Sequence, residues 1–242
     1  MCTLTYLPIT NKGFILTSSR DERTSRRTAL TPQTNLIGAQ MIIYPKDAQG
    51  GGTWIAASAT RTVCLLNGAF KPHRSLAPYK HSRGKVVLAL FEYDSIHSFV
   101  TQYDFKGIEP FTLIVIENDV LYELRWNGTR YYFKTLDAAI PHIWSSVTLY
   151  NPQVRSRRKS WFTKWLLSAD EYSVDSIRLF HKTAGAEDPL NSFVMNRNND
   201  VRTVSLTSIV RKEQEVEMIY EDLLRQQTHR VLLQERMQVL ER

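Results

Sequence analysis

The sequence predicts an α+β protein built largely on antiparallel sheet, and three observations carry that reading. Short apolar runs joined by turn residues open the chain. A three-strand meander occupies its middle, and the segments of helical period then follow in a block. Segregated order of this kind belongs to α+β architecture, whereas strict alternation of strands and helices would give a doubly wound parallel sheet.

Cys2 to Leu7 and Phe14 to Ser19 read as a hairpin, with Asn11, Lys12 and Gly13 supplying the turn. After the Gly50-Gly51-Gly52 hinge, Thr53 to Leu66 is dominated by Ala, Val, Ile and Trp and reads as a second β region. Glycines there permit tight turning and close backbone approach. Gly84 to Tyr93 is predicted helical because Val86, Val87, Leu90 and Phe91 share one face. Phe111 to Glu117, Val120 to Trp126 and Thr129 to Phe133 make the meander, turning at Asn118-Asp119 and Asn127-Gly128. Helices are expected at Val154 to Leu167 and Val174 to Lys182, then a strand at Val201 to Val210. From Lys212 to Arg242 there is no Gly or Pro, and Val216, Ile219, Tyr220, Leu223, Leu233, Met237 and Leu240 recur at helical intervals. This segment, 212–242, is expected to be one long helix, or two broken near Gln226-Gln227-Thr228, packed on the sheets or on a second copy of the chain.

Length and composition narrow the classes of function. At 242 residues and 28.0 kDa, with 43% hydrophobic and 23% charged residues, the chain is expected to be one globular domain over 1–242. No run approaches the roughly 18 apolar residues of a membrane span, so no transmembrane segment is expected. Met1 to Pro8 carries no basic leader, and Cys2 and Cys64 are too few for a secreted disulfide framework, which points to the cytoplasm. The net charge of +7 favours acidic ligands mildly and is not a nucleic-acid signature. The six histidines lack metal-ligand spacing, and no glycine-rich phosphate loop is present, so no metal or cofactor is expected.

Cys2 is the most informative residue. Once an initiator methionine is removed, it carries a thiol and an α-amine on one residue, a nucleophile with its own base. The reference pKa values, about 7.7–8.0 for the amine and about 8.5 for the thiol, lie near working pH. The alternative is a buried strand cysteine. Arg20 and Asp21 close the second strand of the hairpin, where pairing brings them beside Cys2. An arginine favours a thiolate and an aspartate orients an α-ammonium; a solvated charged turn is the competing reading, and the preferred one for Arg23, Arg26 and Arg27. Asn67 and Asn151 offer amide donors of the kind thiolate attack needs for its oxyanion, or they cap a strand and a helix.

Met1-Cys2, Ser19-Arg20-Asp21-Glu22 in place of Asn-Arg-Asp-Glu, and Gly51-Gly52-Thr53-Trp54 together resemble the Transport and Golgi organisation 2 family, also called the NRDE family. Leu65-Leu66-Asn67 and Leu149-Tyr150-Asn151 match two further segments in family order. That family in turn resembles N-terminal nucleophile hydrolases such as penicillin V acylase and bile salt hydrolase. The resemblance implies a four-layer αββα sandwich in which Cys2 attacks a non-peptide amide or ester, Arg20 and Asp21 tune it, and Asn67 and Asn151 hold the oxyanion. Arg202, in the loosely kept Val201-Arg202-Thr203-Val204-Ser205 segment, is a further site residue. It equally implies a non-catalytic member that handles lipid or haem-like ligands or serves intracellular trafficking. Ser156-Arg157-Arg158-Lys159 fits Ser-x-x-Lys formally, but its partner motifs are absent; an amphipathic helix whose basic face attracts anions or water explains it better.

Overall fold

A computed structural model describes residues 3–10, 13–74, 78–169, 171–213 and 215–233. β1 (Thr3–Pro8) and β2 (Phe14–Arg23) form the opening hairpin, with Thr3 opposite Ser19 and Pro8 opposite Phe14. β2 runs past Ser19, so Arg20 to Arg23 belong to the sheet instead of a solvated turn. A second hairpin follows, β3 (Leu30–Ile37) and β4 (Gln40–Lys46), then β5 (Ile55–Ala57) and β6 (Arg61–Asn67). α1 (Arg83–Ala89) leads through a 3-10 turn at Leu90–Glu92 into α2 (Ile96–Gln102). The meander is β7 (Phe111–Glu117), β8 (Val120–Trp126) and β9 (Tyr131–Leu136), followed by β10 (His142–Ser145). After α3 (Pro152–Ser168) and α4 (Val174–Thr183) come β11 (Asn196–Arg197), β12 (Val201–Lys212), β13 (Glu215–Asp222) and β14 (Gln227–Leu233).

Among the described residues these strands make two antiparallel sheets of seven. The first runs β10-β1-β2-β12-β13-β14 with β11 on β12; the second runs β3 to β9 in sequence order. Its unbroken meander follows from short turns: Asn118 and Asp119 take the left-handed φ values of 48° and 66° that a tight hairpin needs. β7 is buried at every position, which is why it reads as a nearly continuous apolar run instead of an alternation.

Over residues 215–233 the expected C-terminal helix is not formed. Residues 215–233 are a hairpin that extends the first sheet, with Ser205 to Lys212 of β12 paired to Asp222 to Glu215 of β13. Two physical reasons account for the difference. Val216, Met218 and Tyr220 alternate as a strand requires and are buried, so the segment satisfies both periods, and pairing with β12 together with packing on the second sheet decides between them. The turns also lack glycine: Glu213 and Gln226 adopt φ of 52° and 56°, conformations that neither residue type advertises. Met237 and Leu240 lie outside the described residues.

The two sheets share one apolar cluster. Leu4, Tyr6, Phe14 and Leu16 of the first meet Ile55, Val63, Leu65 and Ile114 of the second. The alternate positions Leu7 and Ile15 turn the other way, into a second cluster with Phe162 of α3 and Ile177 and Phe180 of α4. α4 lies against β2 and β12, α3 against β10, and α1 against β5 and β6. Buried Arg61 ties the α1–α2 corner down, donating to Glu117, to the Leu90 carbonyl at 2.7 Å and to the Tyr93 and Asp94 carbonyls at 3.0 Å. No helix of the described residues is long and apolar enough to cross a membrane.

Candidate functional site

The Gly51-Gly52-Thr53-Trp54 segment is a positioning device. A Cβ on Gly52 would collide with the backbone of Gly84 at the start of α1, so only glycine lets loop and helix meet. Thr53 N–H donates to the Gly84 carbonyl at 3.1 Å, and its hydroxyl donates to the Pro45 carbonyl at 2.6 Å. Trp54 is thereby held under Arg20, whose guanidinium carbon lies 4.5 Å from the ring centroid. Arg20 donates to Asp47 at 2.8 Å and to Glu22 at 3.3 Å. Asp47 also accepts from Arg26 Nε at 3.0 Å and from backbone N–H groups of its own loop. Burial opposes ionisation of Asp47, but the bonds from Arg26 and Gly50 and the charges of Arg26 and Arg20 hold its carboxyl below the usual range.

Around this pair lies a cavity of about 180 Å³ lined by Arg20, Trp54, Asn67, Arg83 and their neighbours. The Trp54 indole N–H is buried and has no partner among the described residues, leaving a donor beside the space. Asn67 ends β6 and also borders a second cavity, about 330 Å³, whose wall includes Ser145, Ser146, Arg155 and Lys159. The Ser146 hydroxyl donates to the Asn67 carbonyl at 2.9 Å, fixing the partition between the two spaces.

Asp21 goes elsewhere. It accepts from the Tyr150 hydroxyl at 2.6 Å and from the Thr203 hydroxyl. Tyr150 in turn accepts from Arg158 Nη2 at 2.7 Å, and the fully buried Arg158 also donates to the Thr3 hydroxyl and to the Asn191 and Ser192 carbonyls. Close by, His181 joins the hydroxyls of Thr5 and Ser19, each at 2.8 Å. Burial, with the charges of Arg158 and Arg178 behind it, pushes the His181 ring down to about 3, so it is neutral across the ordinary pH range.

The expected site residues therefore divide. Arg20 and Asn67 line one cavity. Asn151 is exposed and N-caps α3, its Oδ1 accepting from Val154 N–H at 2.9 Å, and Arg202 pairs in register with Glu22; neither lines that cavity. Cys2 lies outside the described residues. Cys64, the other thiol, is fully buried, and burial pushes it up to about 12, which leaves it unreactive. Asp47, Arg158 and His181 were not anticipated as parts of the site. Asp47 sits three residues before a glycine and caps its own loop, a legible turn signal. Arg158 occupies the inward stripe of α3 one turn before Phe162, where sequence alone suggests a solvated cation. Among the described residues no cluster of three or more His, Cys, Asp or Glu side chains is arranged to hold a metal.

Comparison with known proteins adds a frame to this geometry. No curated protein matches the chain. Among solved structures the fold is similar to that of a variant of the conjugated bile acid hydrolase from Clostridium perfringens, with a TM-score of 0.60 over 95% of this chain and 92% of that one. Identity is 11%, so the likeness is one of fold, that of an N-terminal nucleophile hydrolase. The sequence model of Transport and Golgi organisation 2 matches residues 1–239, nearly the whole length, and the chain belongs to that family.

Proposed function

We propose that the protein is a hydrolase of the N-terminal nucleophile type acting on a non-peptide amide or ester, with Cys2 as nucleophile after loss of Met1. The observation that carries this reading is that Arg20, the residue after Thr3's partner on β2, lines one cavity with Asn67, far from it in sequence. Arg20 shares the sheet face of Leu4 and Tyr6, the face turned toward the second sheet. In this mechanism the Cys2 thiolate adds to the substrate carbonyl, and the freed α-amine carries the proton to the leaving amine or alkoxide. Water then hydrolyses the thioester and returns the thiol. Asn67 donates to the oxyanion, and Arg20 favours the thiolate. Asp21 anchors the strand end through Tyr150 and Thr203, and Asn151 seats α3 by capping it. Arg202 acts at longer range, beside Glu22. The same reading takes 1–242 as one cytoplasmic domain and its layers as an αββα sandwich, supported by α3 and α4 against one sheet and α1 against the other.

A second reading, a non-catalytic family member that binds lipid or haem-like ligands or serves trafficking, is favoured by one feature. Arg20 is already engaged by Asp47 and Glu22, which dilutes its pull on a nearby thiolate. The experiment compares wild type with Cys2→Ala. A hydrolase loses turnover of acyl-amide and thioester substrates in the variant, its native mass lacks Met1, and iodoacetamide labels Cys2 while sparing Cys64. Equal ligand binding by both proteins with no turnover by either, or Met1 quantitatively retained, rejects the enzyme.

A further inference from the structure

We propose that the larger cavity, beyond Asn67, is a binding site for a doubly charged oxyanion, a phosphoryl group carried by the molecule the protein acts on. Its lining contains three cations, Arg125, Arg155 and Lys159, with the hydroxyl residues Ser145 and Ser156, and no acidic residue. The cations differ in their pairing. Arg125 is neutralised by Glu123 at 2.8 Å, and that carboxylate also receives Lys134 and the Trp144 indole N–H. Arg155 and Lys159 have no acidic partner among the described residues. Arg155 Nε is buried and makes no hydrogen bond there, and neither does Arg125 Nε.

Arg155, partly buried, and Lys159, exposed at the rim of the cavity, are like charges four residues apart on one helix and repel each other, and the unbonded buried Nε of Arg155 costs free energy. A dianion resolves both at once. The planar guanidinium of Arg155 suits a tetrahedral oxyanion through two parallel N–H bonds, and Lys159 adds a point charge. The second ionisation of a phosphomonoester, near pH 6, leaves it doubly charged at neutral pH, matching the two open charges, whereas a carboxylate would satisfy one. A space of about 330 Å³ takes such a group with a few attached atoms and excludes a nucleic-acid duplex. Because Asn67 borders both cavities, a phosphoryl group here leaves the rest of the ligand pointing toward Arg20 and Trp54. That the anion belongs to a substrate rests on the hydrolase reading; that it binds does not.

The test is calorimetric titration of the full-length protein with inorganic phosphate at low salt and neutral pH, with acetate as the monoanion. Phosphate is expected to bind with a Kd of about 1 mM or tighter, and acetate at least about ten-fold more weakly. Arg155→Gln and Lys159→Gln should each weaken phosphate about ten-fold or more. Lys164→Gln, which removes an exposed charge from the same helix outside the cavity, should change it less than about two-fold. Absence of phosphate binding up to about 10 mM, equal weakening by Lys164→Gln, or acetate binding as tightly overturns the proposal. Turnover without phosphate binding removes this site and keeps the hydrolase; phosphate binding in a protein without turnover does the reverse.

Discussion

Arg20 and Asp21 are sequence neighbours and equally buried, each 4% exposed, yet they belong to opposite faces of the first sheet and to different chemistry. Asp21 shares its face with Ile15, Thr17 and Ser19, and that face is closed under α3 and α4: Tyr150 and Thr203 donate to Asp21, Arg158 donates to Tyr150, and His181 joins Thr5 and Ser19. Arg20 shares its face with Phe14, Leu16 and Ser18, and the loop end of that face is open, with a cavity and a Trp54 N–H that has no partner among the described residues. A four-residue charged signature is thus divided by the strand period into a structural half and a half available to ligand. The closed face should govern stability, and the open face should govern binding and turnover.

The largest effect expected from that contrast is at Arg158. Arg158→Ala removes one buried donor from the Tyr150, Asn191 and Ser192 oxygens and the ring packing against Tyr150, which should cost about 3–5 kcal/mol. Urea unfolding should show it as a lower midpoint at unchanged slope. A loss under about 1 kcal/mol would mean that the closed face is not the stabilising one.

His181 sharpens the comparison through pH. Its folded pKa of about 3 lies below the ordinary 6.5, so its contribution is complete above about pH 6.5 and is lost as pH falls toward 3. Stability should therefore fall by roughly 3 kcal/mol from this group between pH 7.5 and 4, because the unfolded chain binds the proton and the folded one does not. His181→Gln, measured by unfolding across the same range, should flatten that slope; an unchanged slope would place the titration elsewhere.

The smallest expected difference is between the two neighbours themselves. Asp21→Asn sets an amide donor against the hydroxyl of Thr203 or Tyr150 and should destabilise by about 1–3 kcal/mol. Arg20→Gln leaves Asp47 paired with Arg26, and Glu22 beside the same Arg26, so it should destabilise less than Asp21→Asn while abolishing turnover. Equal destabilisation by the two would erase the distinction between the faces.

Much of the local structure was legible. The opening hairpin, the meander and the two central helices carry their own turn residues and periods, and α3 begins at the Asn151-Pro152 pair that marks an N-cap. The β3–β4 hairpin was not, because its outer strand is half exposed and short of apolar residues. At the site, the charged signature pointed to Arg20, whereas Trp54, Asp47 and the other partners that finish the network came from segments with no common pattern.

By itself the sequence determined what depends on neighbours along the chain: hairpin turns at Asn118-Asp119 and Asn127-Gly128, strand faces that alternate, and a glycine wherever backbone must touch backbone, as at Gly52. Only the tertiary structure decided the fate of residues 215–233, which pair with β12 although their period also suits a helix. It alone decided that Arg158 and His181 are buried and bonded, and that Arg155 and Lys159 line a cavity with no acidic partner among the described residues. The physical reason is that pairing and the environment of a charge are set by what packs around a segment once the sheets form; for Arg158 beside Thr3 and His181 beside Ser19 the partners are more than a hundred residues away, and no local pattern encodes them.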